Sequence, residues 1–396
     1  MRFGLERIRK LVSVLGMPQH RFVPIHVVGT NGKSSVAEMT AALLEAHGIS
    51  AGAYLSPHDE RWSERTQIGG AEISPAAFGA AVERVAQAVA TVDRTLDEGE
   101  SVTRFEADTA TAFVALAGAG IEAGVIEAGL GGRLDATNVL PSRVTVLTSI
   151  GLEHTEWLGE TETEIAAEKL AVLRDHTRLV VGPVSEAVED LARETARERH
   201  SELVTVRDLS PRVELASPAP YQRRNFAVAL AAAEGVIGSL DRERVVDVAA
   251  GLDLHGRMEL VAGDPPLILD AAHNPAGALA LAEAVPAAAA GRPVIACLAV
   301  LADKDAPGVV GALAPVLDGL VATEIPAERL ASAGRPGARA RAAGELAAAA
   351  REAGLGWVGE EADPAAAMAL AGDEARERAG VVLATGSHYL LRYAIE

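Results

Sequence analysis

Short runs of β-branched and other apolar residues alternate along this chain with longer segments rich in Ala, Leu and Glu. The runs Ile25–Val28, Gly124–Glu127, Val144–Thr148 and Leu179–Val181 are bounded by turn residues and predict buried strands. Leu267–Leu269, Val294–Leu298, Gly319–Thr323 and Val381–Ala384 predict more of the same. Between the runs, apolar positions recur at helical spacing over Ser35–His47, Ala76–Ala90, Asp108–Ala119, Gln222–Ile237 and Ala276–Ala287. Strand–helix alternation of this kind predicts an α/β fold with a mainly parallel sheet and helices on both faces. One set of strands and helices is complete before His255-Gly256-Arg257, and a second begins at Leu267. Two domains are therefore expected, 1–254 and 255–396, the second smaller and Rossmann-like. No internal repeat is evident, and the Ala-rich stretch Ala338–Ala350 keeps helical spacing.

Composition narrows the picture. A chain of 396 residues is too long for one compact core. Aromatic residues make up only 3%, so Ala, Val and Leu must do most of the packing. A net charge of −19 argues against broad binding to nucleic acid or anionic membranes, which both want a positive face. An anionic small molecule can still be held locally by Lys, Arg and backbone N–H groups. The single cysteine, Cys297, excludes an internal disulfide and lies in a strand-like apolar run, as an inert buried thiol would. The segment Met1–Lys10 is charged and amphipathic, without the apolar centre of a signal peptide, and no apolar run is long enough to span a bilayer. A cytoplasmic, monomeric protein is expected.

Candidate chemistry concentrates just past the predicted strands. Ile25–Val28 runs into Gly29-Thr30-Asn31-Gly32-Lys33-Ser34-Ser35, after which a helix starts. Glycines let successive N–H groups curl toward a phosphate, and the helix N-terminus adds partial positive charge. A lysine at position 33 can bridge β- and γ-phosphates, and a following hydroxyl can bind Mg²⁺. The common nucleotide loop has a glycine five residues before Gly32, where this chain has Val27. A second Gly-rich element, Glu127 to Asp135, follows the strand Gly124–Glu127, so Glu127 is placed to face the phosphate loop. His154 lies past a third strand end, in Ser149–Thr155. A hydroxyl, a carboxylate and an imidazole from three strand ends make a candidate Mg²⁺ site. Lys169 falls in the helical stretch Thr161–Leu173, and on these grounds alone reads as a solvated helix lysine.

Taken in order, these pieces resemble the folylpolyglutamate synthase / dihydrofolate synthase family, a branch of the Mur-ligase superfamily. The resemblance is carried by Phe3–Arg7, His26–Lys33, Ser56-Pro57-His58, Glu64-Arg65, Phe105-Glu106, Gly129–Asn138, Thr148–Thr155 and Glu168-Lys169. It continues through Asn225, Gly256–Glu259, Asp270–Pro275, Asp303–Asp305 and Thr385–Ser387, nearly end to end. It implies a P-loop ATPase domain followed by the smaller α/β domain. It also implies a ligase that uses ATP to turn a pterin carboxylate into an acyl phosphate, which the amino group of L-glutamate then attacks.

The resemblance further implies that Thr30, Asn31, Gly32, Lys33, Ser34 and Ser35 hold ATP, with Asn225, Arg257, Asp270 and His273 as its other contacts. Lys33, His154 and Lys169 are implied to be catalytic, Lys169 as a carbamate. Ser35, Glu127 and His154 are implied Mg²⁺ ligands, with a second metal at Ser56 and a monovalent cation as a further candidate. Thr103, Arg104, Phe105 and Glu106, with Leu134, Asp135 and Ala136, match the pterin-binding segments. Closure of the two domains on substrate is expected to exclude water from the acyl phosphate.

Departures from the family pattern are Ser34 in place of Gly, Asp59 in place of Leu, Leu170-Ala171-Val172 after Lys169, Ala271 in place of Gly, and His388 in place of Leu. Ser34 leaves open which of two adjacent hydroxyls meets the metal. Two other readings are weighed: a ligase for a cell-wall or other carboxylate, and an ATP-binding regulatory protein without ligase activity. The first normally brings an extra N-terminal domain, for which a loop starting at Gly29 leaves no room. The second should show decay at Lys33, Glu127, His154, Lys169, Arg257 or Asp270, and all six are present.

Overall fold

The computed structural model describes residues 4–58, 60–210, 212–335 and 337–395. Phe3 and Asp59 of the motifs above lie outside the described residues. The chain forms two compact units, Met1–Glu214 with Arg223–Gly251, and Leu215–Gln222 with Leu252–Glu396.

The first unit is built on an eight-stranded sheet. Its strands are β1 (Val23–Val28), β2 (Ala51–Tyr54), β3 (Thr66–Ile68), β4 (Ala71–Glu72), β5 (Ala123–Glu127), β6 (Val144–Leu147), β7 (Arg178–Val181) and β8 (Glu202–Thr205). Their order is β4-β3-β2-β5-β1-β6-β7-β8. The strands from β2 to β8 are parallel to their neighbours, and β3 and β4 add an antiparallel edge. Strands β1, β5 and β6 are buried along nearly their whole length, which is why they read as continuous apolar runs rather than alternating ones. One apolar cluster gathers Ile8, Leu11, Tyr54, Val85, Phe113 and Ile126; another gathers Val28, Leu147, Leu170, Leu179 and Val188.

β1 is the hinge of the topology. It pairs with β5 on one side and β6 on the other, with Val27 opposite Glu127 and Val28 opposite Leu147. The chain order thus reverses across β1, and the carboxyl ends of three strands finish level with one another. Open parallel sheets bind ligands at such a switch point.

The second unit holds a six-stranded sheet of β9 (Arg257–Val261), β10 (Leu267–Asp270), β11 (Val294–Leu298), β12 (Gly319–Ala322), β13 (Val358–Glu360) and β14 (Val381–Thr385). The order is β13-β12-β11-β14-β10-β9, with only β9 antiparallel to its neighbour. Cys297 is buried in β11, and burial pushes its thiol up to about 12. The helix Pro364–Glu377 lays Ala367, Ala371 and Ala375 against this sheet, all at 0% exposure. Small side chains at i, i+4 and i+8 bring that helix close to the strands with little volume between them.

Candidate active site

The turn after β1 is shaped by two glycines. Gly29 has φ +154°, and a Cβ there would sit 1.9 Å from the Thr148 Oγ1. Gly32, at φ +81°, stands at the N-cap of the helix Lys33–Ala46, and its missing Cβ leaves room for the Asn225 amide, 2.6 Å from where it would be. No side chain caps this helix N-terminus. Its dipole and first-turn N–H groups form the kind of surface that binds phosphate.

The loop is braced from β6. The Thr30 amide donates to the Ser149 carbonyl (2.9 Å), and the Asn31 amide to the Ser149 Oγ (3.0 Å). The Asn31 carbonyl accepts from the Thr148 and Ser149 hydroxyls at 2.6 and 3.0 Å, and the Gly151 amide donates to the Thr30 Oγ1 at 3.1 Å. The Lys33 ammonium folds back to donate to the Thr30 carbonyl, 3.0 Å. Thr148 and Ser149 belong to a quoted motif, but their role as braces was not visible in the sequence.

Glu127 is buried at the end of β5, and its Oε2 accepts from the Ser34 hydroxyl at 2.9 Å and the Ser56 amide at 3.0 Å. Ser35 is buried in the same helical turn. His154 sits in the loop after β6 at φ +53°, its Nε2 3.7 Å from Glu153. Among the described residues no three His, Cys, Asp or Glu side chains form a metal cluster. The hydroxyl–carboxylate pair nevertheless fits Mg²⁺, a hard cation that takes oxygen donors and is commonly completed by substrate phosphates and water.

Lys169 overturns its reading as a solvated helix lysine. It lies in the last turn of the helix Glu162–Leu170 at 5% exposure, and its ammonium donates to the Gly29 carbonyl at 2.8 Å. Burial, helped by the nearby charge of Lys33, brings its pKa down to about 7. An amine of that kind is largely neutral and nucleophilic in mildly alkaline water.

The Gly129–Asp135 loop packs on the end of this helix, with the Arg133 amide donating to the Glu168 carbonyl (3.0 Å). Asp135 is buried and organises the loop. Its Oδ1 accepts from the Thr137 hydroxyl (2.6 Å) and amide (2.9 Å), and its Oδ2 from the Leu130 amide (2.9 Å). Burial raises its pKa, and these donors oppose the rise. The Thr137 hydroxyl lies 2.7 Å from Nε2 of buried His26, whose pKa burial drives down to about 3. Ala136 is buried and Leu134 is 47% exposed.

The segment 103–106 has a structural duty. Thr103 and Glu106 form a capping box on the helix Arg104–Ala119, and the Glu106 carboxylate also accepts from Arg7 Nε at 3.1 Å. Arg104 stacks on Trp62, 3.7 Å from the ring centroid, and the Phe105 ring lies against Gly129.

In the second unit, Asp270 ends β10 and is buried. It accepts from the Tyr221 hydroxyl and from the Met258 and Ala272 amides, each amide at 2.9 Å. Burial raises the Asp270 pKa while the Tyr221 hydroxyl and Arg257 oppose it; the partly buried Tyr221 is pushed upward. Arg257 begins β9, its carbonyl accepting from Gln222 (3.3 Å). His273 Nδ1 lies 2.9 Å from the Ala271 carbonyl. Nothing in the sequence signalled Tyr221. The structure thus gathers Thr30, Asn31, Gly32, Lys33, Ser34, Glu127, Ser56, Lys169 and Asn225 in the first unit, and Arg257, Asp270 and His273 in the second.

A doubly wound sheet with a glycine loop, a hydroxyl–carboxylate pair and a buried lysine at its switch point, followed by a second α/β unit, has counterparts among known proteins. The Mur ligase middle domain matches residues 27–213, and the Mur ligase glutamate ligase domain matches residues 256–388. The dihydrofolate synthase/folylpolyglutamate synthase of Mycobacterium tuberculosis is 34% identical over 359 residues, 81% of this chain and 74% of that protein. The Escherichia coli protein of the same name is 31% identical over 328 residues, 80% and 76%. Among solved structures, M. tuberculosis folylpolyglutamate synthase complexed with ADP and AMPPCP superposes with a TM-score of 0.91 at 32% identity, covering 100% of this chain and 95% of that one. E. coli FolC in complex with DHPP and ADP gives 0.85 at 28%, covering 100% and 93%. The chain belongs to the dihydrofolate synthase/folylpolyglutamate synthase family of Mur ligases. No described helix is long and apolar enough to cross a membrane.

Proposed function

We propose that this chain is an ATP-dependent ligase that joins L-glutamate to the carboxylate of a pterin-type acceptor, either dihydropteroate or a folate. The carrying observation is the meeting of Lys33, Ser34 and Glu127 at the switch point, with Lys169 buried against Gly29. A carboxylate oxygen of the acceptor attacks the γ-phosphorus of ATP, and ADP leaves. The amino group of glutamate then attacks the acyl carbon, loses a proton, and expels phosphate to leave an amide.

In this reading the amides of Thr30–Ser35 and the Lys33 ammonium hold the β- and γ-phosphates and offset charge as it moves. Ser35 or Ser34, with Glu127 and His154, would hold Mg²⁺, and Ser56 a second metal; the ion would supply Lewis-acid stabilisation to the same oxygens. Lys169, neutral over much of the working range, takes up CO₂ as a carbamate and so offers oxygen where it now offers nitrogen. Asn225 frames the loop glycine, and Arg257, Asp270 and His273 shape the nucleotide contacts of the second unit. The segments 103–106 and 134–136 bind the pterin. A division into domains 1–254 and 255–396 is supported by the compact units and by the matched ranges.

The test is phosphate release from ATP by the purified chain, with dihydropteroate, tetrahydrofolate and a folate diglutamate offered in turn. Release should need both acceptor and L-glutamate. Turnover with none of the three acceptors refutes the proposal, and turnover only with a cell-wall precursor would move the chain to another acceptor class.

A further inference from the structure

Helices Pro75–Asp93 and Arg104–Ala119 leave a cavity of about 410 Å³ between themselves and the β2–β3 ribbon. None of the residues assigned above to nucleotide, metal or pterin lines it. Its size is that of a small-molecule site rather than a packing defect. One wall is an apolar stripe on the first helix, Phe78, Val82 and Val85, at helical spacing. The opposite end is polar. There the Arg65 guanidinium and Asp108 carboxylate stand 4.0 Å apart, too far to satisfy each other by a hydrogen bond. Tyr54 also lines the cavity, with its hydroxyl buried beside Thr109 and Arg65. Burial lifts Asp108 to about 6 despite Arg65 and Arg104 nearby, as expected of a carboxylate short of donors.

We propose that this cavity is a second ligand site, for a neutral planar heteroaromatic of the lactam type. The ring N–H donates to Asp108, and the adjacent carbonyl accepts from Arg65. Arg65 and Asp108 facing each other match a neutral donor–acceptor pair. The apolar stripe suits the flat remainder of the ring system. Occupancy would be felt at the first turn of the helix Arg104–Ala119, because Trp62 lines the cavity and carries the stacked Arg104.

The site can be tested on the full chain without ATP or glutamate, and the cavity variant Val82→Phe separates it from the pterin site proposed above. Pterin, guanine and hypoxanthine serve as lactam probes, with naphthalene-2-carboxylate as a flat control lacking the donor–acceptor edge. At least one lactam should bind saturably by calorimetry and quench tryptophan emission, the quench vanishing in Trp62→Phe. Binding should weaken roughly tenfold or more in Asp108→Asn and in Val82→Phe, and persist in Lys33→Ala. Val82 is 41% exposed, so its replacement narrows the cavity without burdening the core. Three results would each overturn the proposal: no saturable binding of any lactam at millimolar concentration, equal binding of the naphthoate, or binding unchanged in Val82→Phe.

Discussion

Glu127 and Asp270 are both buried carboxylates at the carboxyl end of a parallel strand, each in its own compact unit, yet they are held by different kinds of partner. Glu127 accepts from a hydroxyl on the phosphate-loop helix and from an amide of the Ser56 segment, 93 and 71 residues away in the chain. Asp270 accepts from a phenol and from two backbone amides, one of them at Met258, where φ is +59°. The first set contains a hydroxyl oxygen that can turn from donor to metal ligand. The second fixes the backbone around β9 and β10. Position at a strand end makes a carboxylate available; its partners decide whether it is set up for chemistry or for architecture.

The sharpest way to break this contrast is in the first unit. Lys33→Ala should cut kcat by about a hundredfold or more, since a preorganised donor on the transferring group is lost, while the melting temperature stays close to that of the parent. Near-normal kcat would remove the phosphate loop from the mechanism. Lys169→Ala should also lose activity, and short carboxylates such as acetate should restore part of it. An indifferent variant would make Lys169 purely structural.

Lys169 also gives a pH signature. Its amine takes a proton at about 7 when folded and at 10.5 when unfolded. Between those values the unfolded chain binds more protons, so stability should rise with pH from about 7 toward 10.5, at up to ~1.4 kcal/mol per pH unit. Urea midpoints across that range should show a shallower slope in Lys169→Met; an unchanged slope would mean the ammonium is not destabilised by burial.

In the second unit, Asp270→Ala should cost about 1–3 kcal/mol by leaving buried donors unpaired, read as a lower denaturation midpoint. The smallest effect is expected at the capping box. Thr103→Ala should cost ~1 kcal/mol in stability. A large rise in acceptor KM alongside that small loss would support a substrate role beside the structural one.

All eight apolar runs read from the sequence are strands, because a strand buried on both faces is continuous in its chemistry. What escaped was small or half-exposed. Ala51–Tyr54 is Ala-Gly-Ala-Tyr, with no β-branched residue to announce it. Glu202–Thr205 is a partly exposed edge, and Thr66–Ile68 and Ala71–Glu72 are very short. The helix Arg104–Ala119 begins four residues before the periodicity suggested, because its first turn is set by the capping box rather than by apolar spacing. The same limit applies to the site. Gly29 to Ser34 was legible because loop, strand and helix are contiguous. The burial of Lys169 was not, since it depends on a carbonyl 140 residues away. The pairing of Ser34 with Glu127 depends on side-chain direction, which the order of two serines does not reveal.

The alanine stripe of Pro364–Glu377 inverts the usual pattern of mutational risk. A core filled by large side chains is damaged mainly by truncation, which opens holes. Where Ala367, Ala371 and Ala375 meet the sheet at 0% exposure, there is little to truncate and no space to fill. A single Ala→Val or Ala→Leu change there would push the helix off its strands, typically costing about 1–3 kcal/mol. Genetic drift in this protein is therefore constrained at these sites by a ceiling on volume, and random mutagenesis should find its harmful core substitutions there among gains of one or two methylene groups.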